Sequence, residues 1–187
     1  RRWRKMLKSL MFAAGFLCAS ALAAQAETPV LDVYTYDSFI SEWGPGPANE
    51  QAFEAECGCD LRFTAAGDGA ALLARLQLEG VDSPADILLG LDTNLTAAAR
   101  ATGLFAPHGQ TPALSLPVDF ADADFLPYDW GWFAFVYDKT KLQNPPTSLA
   151  ELAASDLKIL IQDPRSSTPG LGLALDLDKI AAWRRPA

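Results

Sequence analysis

Histidine and cysteine are scarce in this sequence. It has one histidine, His108, and three cysteines, Cys18, Cys57 and Cys59. Zinc and haem sites need several His or Cys ligands, so neither kind of centre has enough side chains to build on. The hydroxyl residues 166–168 also lack a partner base, because the one histidine falls in a distant loop-like region. We therefore do not expect a secreted enzyme.

Long apolar runs are scarce too, and the one that stands out lies between Leu10 and Ala24. It follows a basic start and precedes Ala24-Gln25-Ala26, whose small residues have the usual spacing of a signal-peptide cleavage site. The run is shorter than a membrane-spanning helix needs, which disfavours a retained anchor. The pattern predicts a signal peptide over residues 1–26, cleavage before Glu27 and a periplasmic location.

Basic residues are few once that segment is removed. The chain has 15 Lys and Arg against 23 Asp and Glu, and five of the basic residues but no acidic one lie before residue 27. The rest of the chain carries a formal net charge of −13. Nucleic acids and anionic lipids bind to basic surfaces, so neither is expected as a partner.

The pair Cys57 and Cys59 leaves two alternatives open. In an oxidising compartment the two thiols can form a disulfide, although a Cys-x-Cys ring is tight. Two buried free thiols fit the sequence equally well.

Strand-like and helix-like segments alternate along the rest of the chain. This order, with apolar strands, predicts an α/β fold whose doubly wound, mostly parallel sheet is covered by helices on both faces. The predicted strands cover 30–36, 61–65, 85–89, 125–137 and 157–161. The predicted helices cover 47–56, 69–78, 93–102 and 148–154, and a last helix starts at Thr168. The segment 107–123 is predicted to be a loop.

Two of these helices have apolar side chains within the helical pattern. The helix over 47–56 is expected to contribute Ala52, Phe53 and Ala55 to the core. The apolar residues of the helix over 69–78 are Leu72, Leu73, Leu76 and Leu78.

Polar and aromatic residues follow three predicted strands at the point where each ends. They are Tyr36-Asp37-Ser38, Gly67-Asp68-Gly69 and Gly90-Leu91-Asp92. Ligands of doubly wound sheets bind outside the carboxyl ends of the strands, so these turns are expected to line one edge. Taken singly, Asp68 and Asp92 also fit ordinary helix N-caps.

The segment 162–172 (QDPRSSTPGLG) predicts a polar turn that leads into a helix. Thr168 suits an N-cap, and Pro169 is tolerated at the first helical position. Free amides at a helix start attract anions, although an ordinary capped helix has the same pattern.

Six segments, taken together, resemble the periplasmic thiamine-binding proteins of bacterial ABC transporters. The resemblance implies a type II-like periplasmic solute-binding fold, with lobe one over 27–136 and the start of an incomplete lobe two over 137–187. It implies a monomer that binds thiamine or its phosphates and delivers them to an ABC permease and ATPase complex. The segments that carry it are 33–39 (VYTYDSF), 43–47 (WGPGP), 89–92 (LGLD), 133–139 (FAFVYDK), 144–146 (NPP) and 162–172.

The same resemblance places ligand contacts on both lobes. It assigns Asp68 and Gly69 to one contacting pair, and Ser167 and Thr168 to a second pair that faces the phosphate end of the ligand across a gap. It also places the aromatic side chains of Tyr36 and Trp43 near the ligand rings. These roles suit a cationic thiazolium and its phosphates. The resemblance implies no cofactor, catalytic residue or resident metal.

Other functions remain as alternatives. A related receptor for ferric iron is disfavoured because histidine is scarce and the sequence has no adjacent pair of tyrosines. A polyamine would suit Asp68 but would leave the anion site of Ser167 and Thr168 without a purpose. Members of the family are nearly twice as long, so we expect a truncated chain that binds thiamine weakly or a non-functional remnant.

Overall fold

The computed structural model describes the backbone of residues 27–183 and the side chains as far as residue 177, so the predicted signal peptide lies outside the described residues. The last helix begins at Thr168, as predicted. The strands are β1 (Val30–Thr35), β2 (Asp60–Ala65) and β3 (Ile87–Leu88), and the helices are α1 (Gly46–Cys57), α2 (Gly69–Glu79), α3 (Thr96–Ala101), α4 (Leu149–Ala153) and α5 (Thr168–Trp183).

The three strands form a parallel sheet in the order β2–β1–β3. In the centre of β1, Val33 is opposite Phe63 on one side and Ile87 on the other. The chain moves one way across the sheet from β1 to β2 and the other way from β2 to β3. Right-handed crossovers in opposite directions place α1 and α2 on opposite faces, which is the doubly wound arrangement. The predicted fold class is confirmed.

Helix α2 supplies the main helical contribution to the core. Leu72, Leu73 and Leu76 are buried, as is Tyr34 of β1, whose hydroxyl donates to Glu79 at 3.1 Å. The fourth apolar residue of this helix, Leu78, lies two residues beyond Leu76. It faces away from the buried stripe of the helix and is exposed.

Helix α1 packs through its first turn and not through the side chains that the sequence suggested. The N–H of Gly46 donates to the carbonyl of Phe39 at 2.8 Å, and Gly46 is the one buried residue of the helix. The core assignment of Ala52, Phe53 and Ala55 is therefore wrong, because all three are exposed. The first turn of α1 lies against the core, but the side chains of its later turns do not reach it.

Cys57 and Cys59 are joined by a disulfide that links the end of α1 to the start of β2. The alternative of two buried thiols is excluded, since Cys57 is exposed and bonded. The bridge therefore fixes the connection between a helix and an edge strand.

Two predicted strands, 125–137 and 157–161, are not strands in the structure. Their residue types favour extended backbone, but a strand also requires a neighbouring backbone with which to exchange hydrogen bonds. Within residues 27–183 the sheet contains β1, β2 and β3 alone. These two segments run without pairing, and most of their apolar side chains are exposed.

The remaining predictions agree with the structure in outline. The helix predicted over 93–102 is shortened to α3, and the helix predicted over 148–154 appears as α4, whose N-cap Ser148 accepts from the N–H of Glu151. The loop over 107–123 has no regular structure. In the part of the chain that is described, no helix is both long and apolar enough to cross a membrane.

Candidate functional site

The turns after β1 and β2 are joined by two hydrogen bonds. The N–H of Asp37 donates to the carbonyl of Gly67, and the N–H of Gly67 donates to the Asp37 carboxylate, both at 2.9 Å. Parallel strands end at the same edge of a sheet, so these bonds fix the two turns side by side. The expected convergence of the turns is observed.

Asp68 lies at this edge, and both of its carboxylate oxygens accept hydrogen bonds. Its Oδ1 accepts from the N–H of Gly69 at 2.9 Å, as expected for the N-cap of α2. The N–H of Thr168 donates to Oδ2 at 2.8 Å, and the Thr168 hydroxyl donates to Oδ1 at 3.2 Å. One carboxylate therefore serves the starts of both α2 and α5.

This contact corrects the expectation of a gap between the turn of Asp68 and the start of α5. The two are in direct hydrogen-bonding contact. The helix donors that were expected to bind an anion are satisfied internally: Thr168 by Asp68, and the N–H of Ser167 by the carbonyl of Asp163 at 2.9 Å. A carboxylate of the protein thus occupies the position of an anion at the helix start.

The helix cap lies one residue earlier than predicted. Helix α5 begins at Thr168, and the Ser167 hydroxyl accepts from the N–H of Gly170 at a long 3.4 Å while it donates to Gln162 Oε1 at 2.6 Å. Ser167 therefore has the position of the cap, and Thr168 is the first helical residue. Either serine or threonine suits a cap, which is why the sequence did not distinguish them.

Gly69 and Gly90 allow the three chain segments to meet closely. A Cβ built on Gly69 would lie 3.0 Å from the Gly90 carbonyl oxygen and 3.1 Å from Thr168 Oγ1. Gly90 has a φ of +115°, and a Cβ there would overlap the ring of Tyr36. Two residues without side chains thus bring Tyr36 and Thr168 to the same edge.

Tyr36 belongs to an aromatic cluster at this edge. Its hydroxyl is hydrogen-bonded to that of Tyr128 at 2.5 Å, and its ring meets that of Phe39 edge-on with centroids 5.6 Å apart. Burial, together with the bond to Tyr36, raises the pKa of Tyr128. Sequence reasoning missed Tyr128, because it lies 92 residues from its partner in a segment without regular structure.

Trp43 does not join this group of residues in the structure. Its side chain is 81% exposed in the turn before α1. The same exposure shows that Trp43 is not a core residue. Of the six predicted contact residues, the structure brings Tyr36, Asp68, Gly69 and Thr168 together, with Ser167 beside them and Trp43 outside.

An ion pair shapes the turn that leads into α5. The Asp163 carboxylate accepts from the Arg165 side chain and from the Arg165 N–H, both at 2.9 Å. These bonds lower the pKa of Asp163 to about 2, with the side-chain bond the larger cause. The turn therefore has its own acidic group, apart from Asp68.

Two buried oxygens near the strand ends lack hydrogen-bond partners. They are Thr35 Oγ1, at the last residue of β1, and Asp92 Oδ2, whose other oxygen accepts from the N–H of Asn94 at 2.7 Å. Asp92 is not the N-cap of α3, because that helix begins four residues later. The acidic and aromatic groups of this edge suit a small cationic or polar ligand. In the described part of the chain no cluster of three or more His, Cys, Asp or Glu is positioned to hold a metal ion.

Comparisons with known proteins match this chain to solute-binding proteins. The family model of bacterial extracellular solute-binding proteins matches residues 82–185. The thiamine-binding periplasmic protein of Brucella suis biovar 1 (strain 1330) is 50% identical over 190 residues, which cover 97% of this chain and 57% of the relative. The protein of the same name from Escherichia coli (strain K12) is 51% identical over 180 residues, covering 91% and 54%.

A solved structure of a periplasmic thiamin binding protein superimposes with a TM-score of 0.78 at 54% identity. The match covers 82% of this chain and 49% of that chain. This chain therefore spans about half the length of the relatives that it matches.

Proposed function

Because this chain belongs to the family of bacterial extracellular solute-binding proteins, we propose that it is the thiamine-recognising part of a periplasmic receptor for an ABC importer. The observation that carries the proposal is the identity of 50% over 97% of this chain to a thiamine-binding periplasmic protein. The ligand would be thiamine or one of its phosphates, and the partners an ABC permease and its ATPase.

The chemistry of the edge supports a cationic ligand that is bound without reaction. Asp68 supplies negative charge, and the rings of Tyr36 and Tyr128 supply faces that attract cations. Binding and release need no nucleophile or general base, and we propose that the protein is not an enzyme and uses no cofactor. The formal charge of −13 after residue 26 favours a cationic ligand in the same sense.

The contact between Asp68 and Thr168 limits what this chain does alone. A ligand that bridges Asp68 and the start of α5 has to replace hydrogen bonds that are already made. We therefore expect weak binding of thiamine by the chain in isolation. Selectivity, and not high affinity, is the property to test.

Isothermal titration of residues 27–187 with thiamine, thiamine diphosphate, spermidine and ferric citrate tests the proposal. We expect a measurable preference for the thiamine compounds, with dissociation constants above the submicromolar range. Equal or stronger binding of spermidine or ferric ion would contradict thiamine as the ligand. Submicromolar binding of thiamine diphosphate would contradict the expected weakness of the chain alone.

A further inference from the structure

The disulfide of Cys57 and Cys59 lies at the surface, between the end of α1 and the start of β2. We infer that it is a thiol–disulfide exchange site, which a dithiol without net negative charge opens and which closes again in the folded chain. The site carries redox chemistry and takes no part in thiamine recognition, so the inference does not depend on the proposed function.

The bond is open to an attacking thiol. Cys57 is exposed and Cys59 is half-buried. Gly58, between them, has a φ of +63°, and a Cβ built there would meet no atom within 4 Å. A disulfide exchanges only when a thiolate can reach one of its sulfurs. The open space around this tripeptide meets that requirement.

The fold around the bond is held by contacts that do not involve the disulfide. The N–H of Gly58 donates to the carbonyl of Glu54 at 3.0 Å and ends α1. The N–H of Leu61 donates to the Glu54 carboxylate at 3.0 Å, which joins β2 to α1. The N–H of Asp60 donates to the carbonyl of Pro29 at 2.8 Å, just before β1. These hydrogen bonds keep the helix and the strand in place when the disulfide opens.

The bond also closes a very short loop. A cross-link stabilises a fold largely by restricting the unfolded chain, and this effect grows with the length of the loop that it closes. The two cysteines are separated by only two positions, so the bond restricts the unfolded chain little. Opening it should therefore leave the folded chain intact, as a reversible exchange site requires.

A hydrogen bond at the bridge decides which sulfur leaves. The N–H of Cys59 donates to Cys57 Sγ at 3.1 Å, and a donated N–H stabilises negative charge on its acceptor. Both sulfurs lie at the carboxyl end of α1, whose dipole disfavours negative charge on either of them. The hydrogen bond therefore distinguishes the two. Cys57 is the sulfur that leaves as a thiolate, and Cys59 is the sulfur that the reductant attacks.

The exchange takes place in two steps. A thiolate of the dithiol attacks Cys59 Sγ and forms an S–S bond with it, while the bond to Cys57 breaks and the Cys57 sulfur keeps the electron pair and takes a proton from water. The second thiol of the reductant loses its proton to water and attacks the reductant's own sulfur in the mixed disulfide. This closes the oxidised reductant and releases Cys59, which is protonated in turn. The dithiol thus loses two electrons and two protons, and the chain gains them.

Charges near the bond select the reductant. Glu54, Glu56 and Asp60 all lie within three residues of one of the cysteines. The one cation in the same range, Arg62, is paired with Asp60 at 2.6 Å. These charges and the carboxyl end of α1 repel anionic thiols. A dithiol without further negative charge is therefore the preferred reductant, and glutathione, with its two carboxylates, is a poor one.

Reduction of the full chain by dithiothreitol, followed by alkylation and peptide mass spectrometry, tests the inference. The peptide map separates Cys57 and Cys59 from Cys18. We expect the bond to open in the folded chain at a rate within about tenfold of that in the urea-unfolded chain. Circular dichroism should show the same fold before and after reduction. The neutral oxidant 2-hydroxyethyl disulfide should close the bond again, and 2-mercaptoethanol should form its mixed disulfide on Cys59.

Thiols of different charge test the selection of the reductant. Each rate is divided by the rate of the same thiol with a neutral model disulfide, which removes differences in intrinsic reactivity. Cationic cysteamine should then react faster than neutral 2-mercaptoethanol, and anionic glutathione should react more slowly. Glu56→Gln, at an exposed position of α1, should raise the glutathione rate about twofold at low ionic strength. Asp119→Asn removes an equal charge at an exposed loop position and should leave the rate unchanged.

Three results would overturn the inference: a bond that dithiothreitol opens only in urea, a chain that unfolds when the bond opens, or corrected rates that do not depend on the charge of the thiol. A mixed disulfide on Cys57 in place of Cys59 would contradict the role of the Cys59 N–H. Reduction of the folded chain, closure by the neutral oxidant and the expected order of thiols would together support the exchange site.

Discussion

The carboxylate of Asp68 accepts hydrogen bonds from both the N–H and the hydroxyl of Thr168, a residue 100 positions further along the chain. The bonds connect the start of α2 to the start of α5. The side chain that the sequence suggested as a ligand contact is thus also a structural link. Two oxygens of the Asp68 side chain and two donors of Thr168 form this link.

Removing this carboxylate should destabilise the chain. Asp68→Ala eliminates the N-cap of α2 and both bonds to Thr168, and we expect the free energy of unfolding to fall by about 2 kcal/mol. Urea unfolding followed by circular dichroism measures the change. Asp119→Ala, which removes the same charge at an exposed loop position, is the control and should have little effect. Equal losses in the two variants would contradict the linking role of Asp68.

Neutralising Asp68 should also change the preference between ligands. Asp68→Asn removes a negative charge next to the start of α5, which should weaken the binding of cationic thiamine and reduce repulsion of a phosphate. We expect the affinity for thiamine diphosphate relative to thiamine to rise about tenfold, or about 1.4 kcal/mol. Titration with the two ligands gives this ratio, and Asp119→Asn should leave it unchanged. A ratio that stays constant or falls in the Asp68 variant would count against an anion site at this helix.

Gly90 should not tolerate a side chain. Gly90→Ala places a methyl group against the ring of Tyr36 and forces alanine to a φ of +115°. We expect a loss of stability of about 1–3 kcal/mol, measured by thermal or urea unfolding. Gly131→Ala is a matched control, because a Cβ at Gly131 meets no atom within 4 Å and its φ is unstrained. The prediction would be wrong if both variants unfolded at the same urea concentration.

The ion pair of Asp163 and Arg165 should give a defined response to acid. The pKa of Asp163 is lowered to about 2 from its ordinary value of 3.8. A carboxyl group with a lowered folded-state pKa stabilises the fold above the ordinary value, and this contribution is lost as the pH falls from about 4 through about 2. The turn before α5 should therefore loosen in that range.

An NMR titration of the Asp163 carboxyl carbon measures this response. We expect a midpoint near 2 in the unaltered chain and a shift towards 3.8 in Arg165→Gln. Lys158→Gln removes an equal charge from an exposed position and should leave the midpoint in place. An Asp163 midpoint near 3.8 in the unaltered chain would show that the pair does not form in solution.

Local patterns were sufficient to predict the parts of the fold that depend on local interactions. Strand β1, helix α2 and the convergence of turns at the strand ends follow from apolar periodicity, from caps such as Asp68, and from the geometry of parallel sheets. The strand-like segment 157–161 was misread because residue types indicate a preference for extended backbone but not the presence of a partner strand.

The details of the site depended on contacts between distant residues. Asp68 was recognised both as a cap and as a ligand candidate, yet its bonds to Thr168 required three-dimensional placement. No local sequence pattern marks Tyr128, because its place at the site depends on a hydrogen bond to the distant Tyr36. Tyr36 in turn packs on Gly90. Trp43 fits the resemblance to a thiamine-binding family, but the exposed turn that carries it leaves its ring away from the other candidates.

The central position of β1 has a consequence for how the chain acquires structure. β1 is the first strand to be synthesised, and its two neighbours follow it, with Leu88 of β3 opposite Tyr34. The sheet can therefore assemble outward from its middle as soon as residue 88 has emerged from the ribosome or from a translocation channel. Pairings over so short a span lose little loop entropy and form quickly. The three-stranded sheet can thus form while residues 89–187 are still to come.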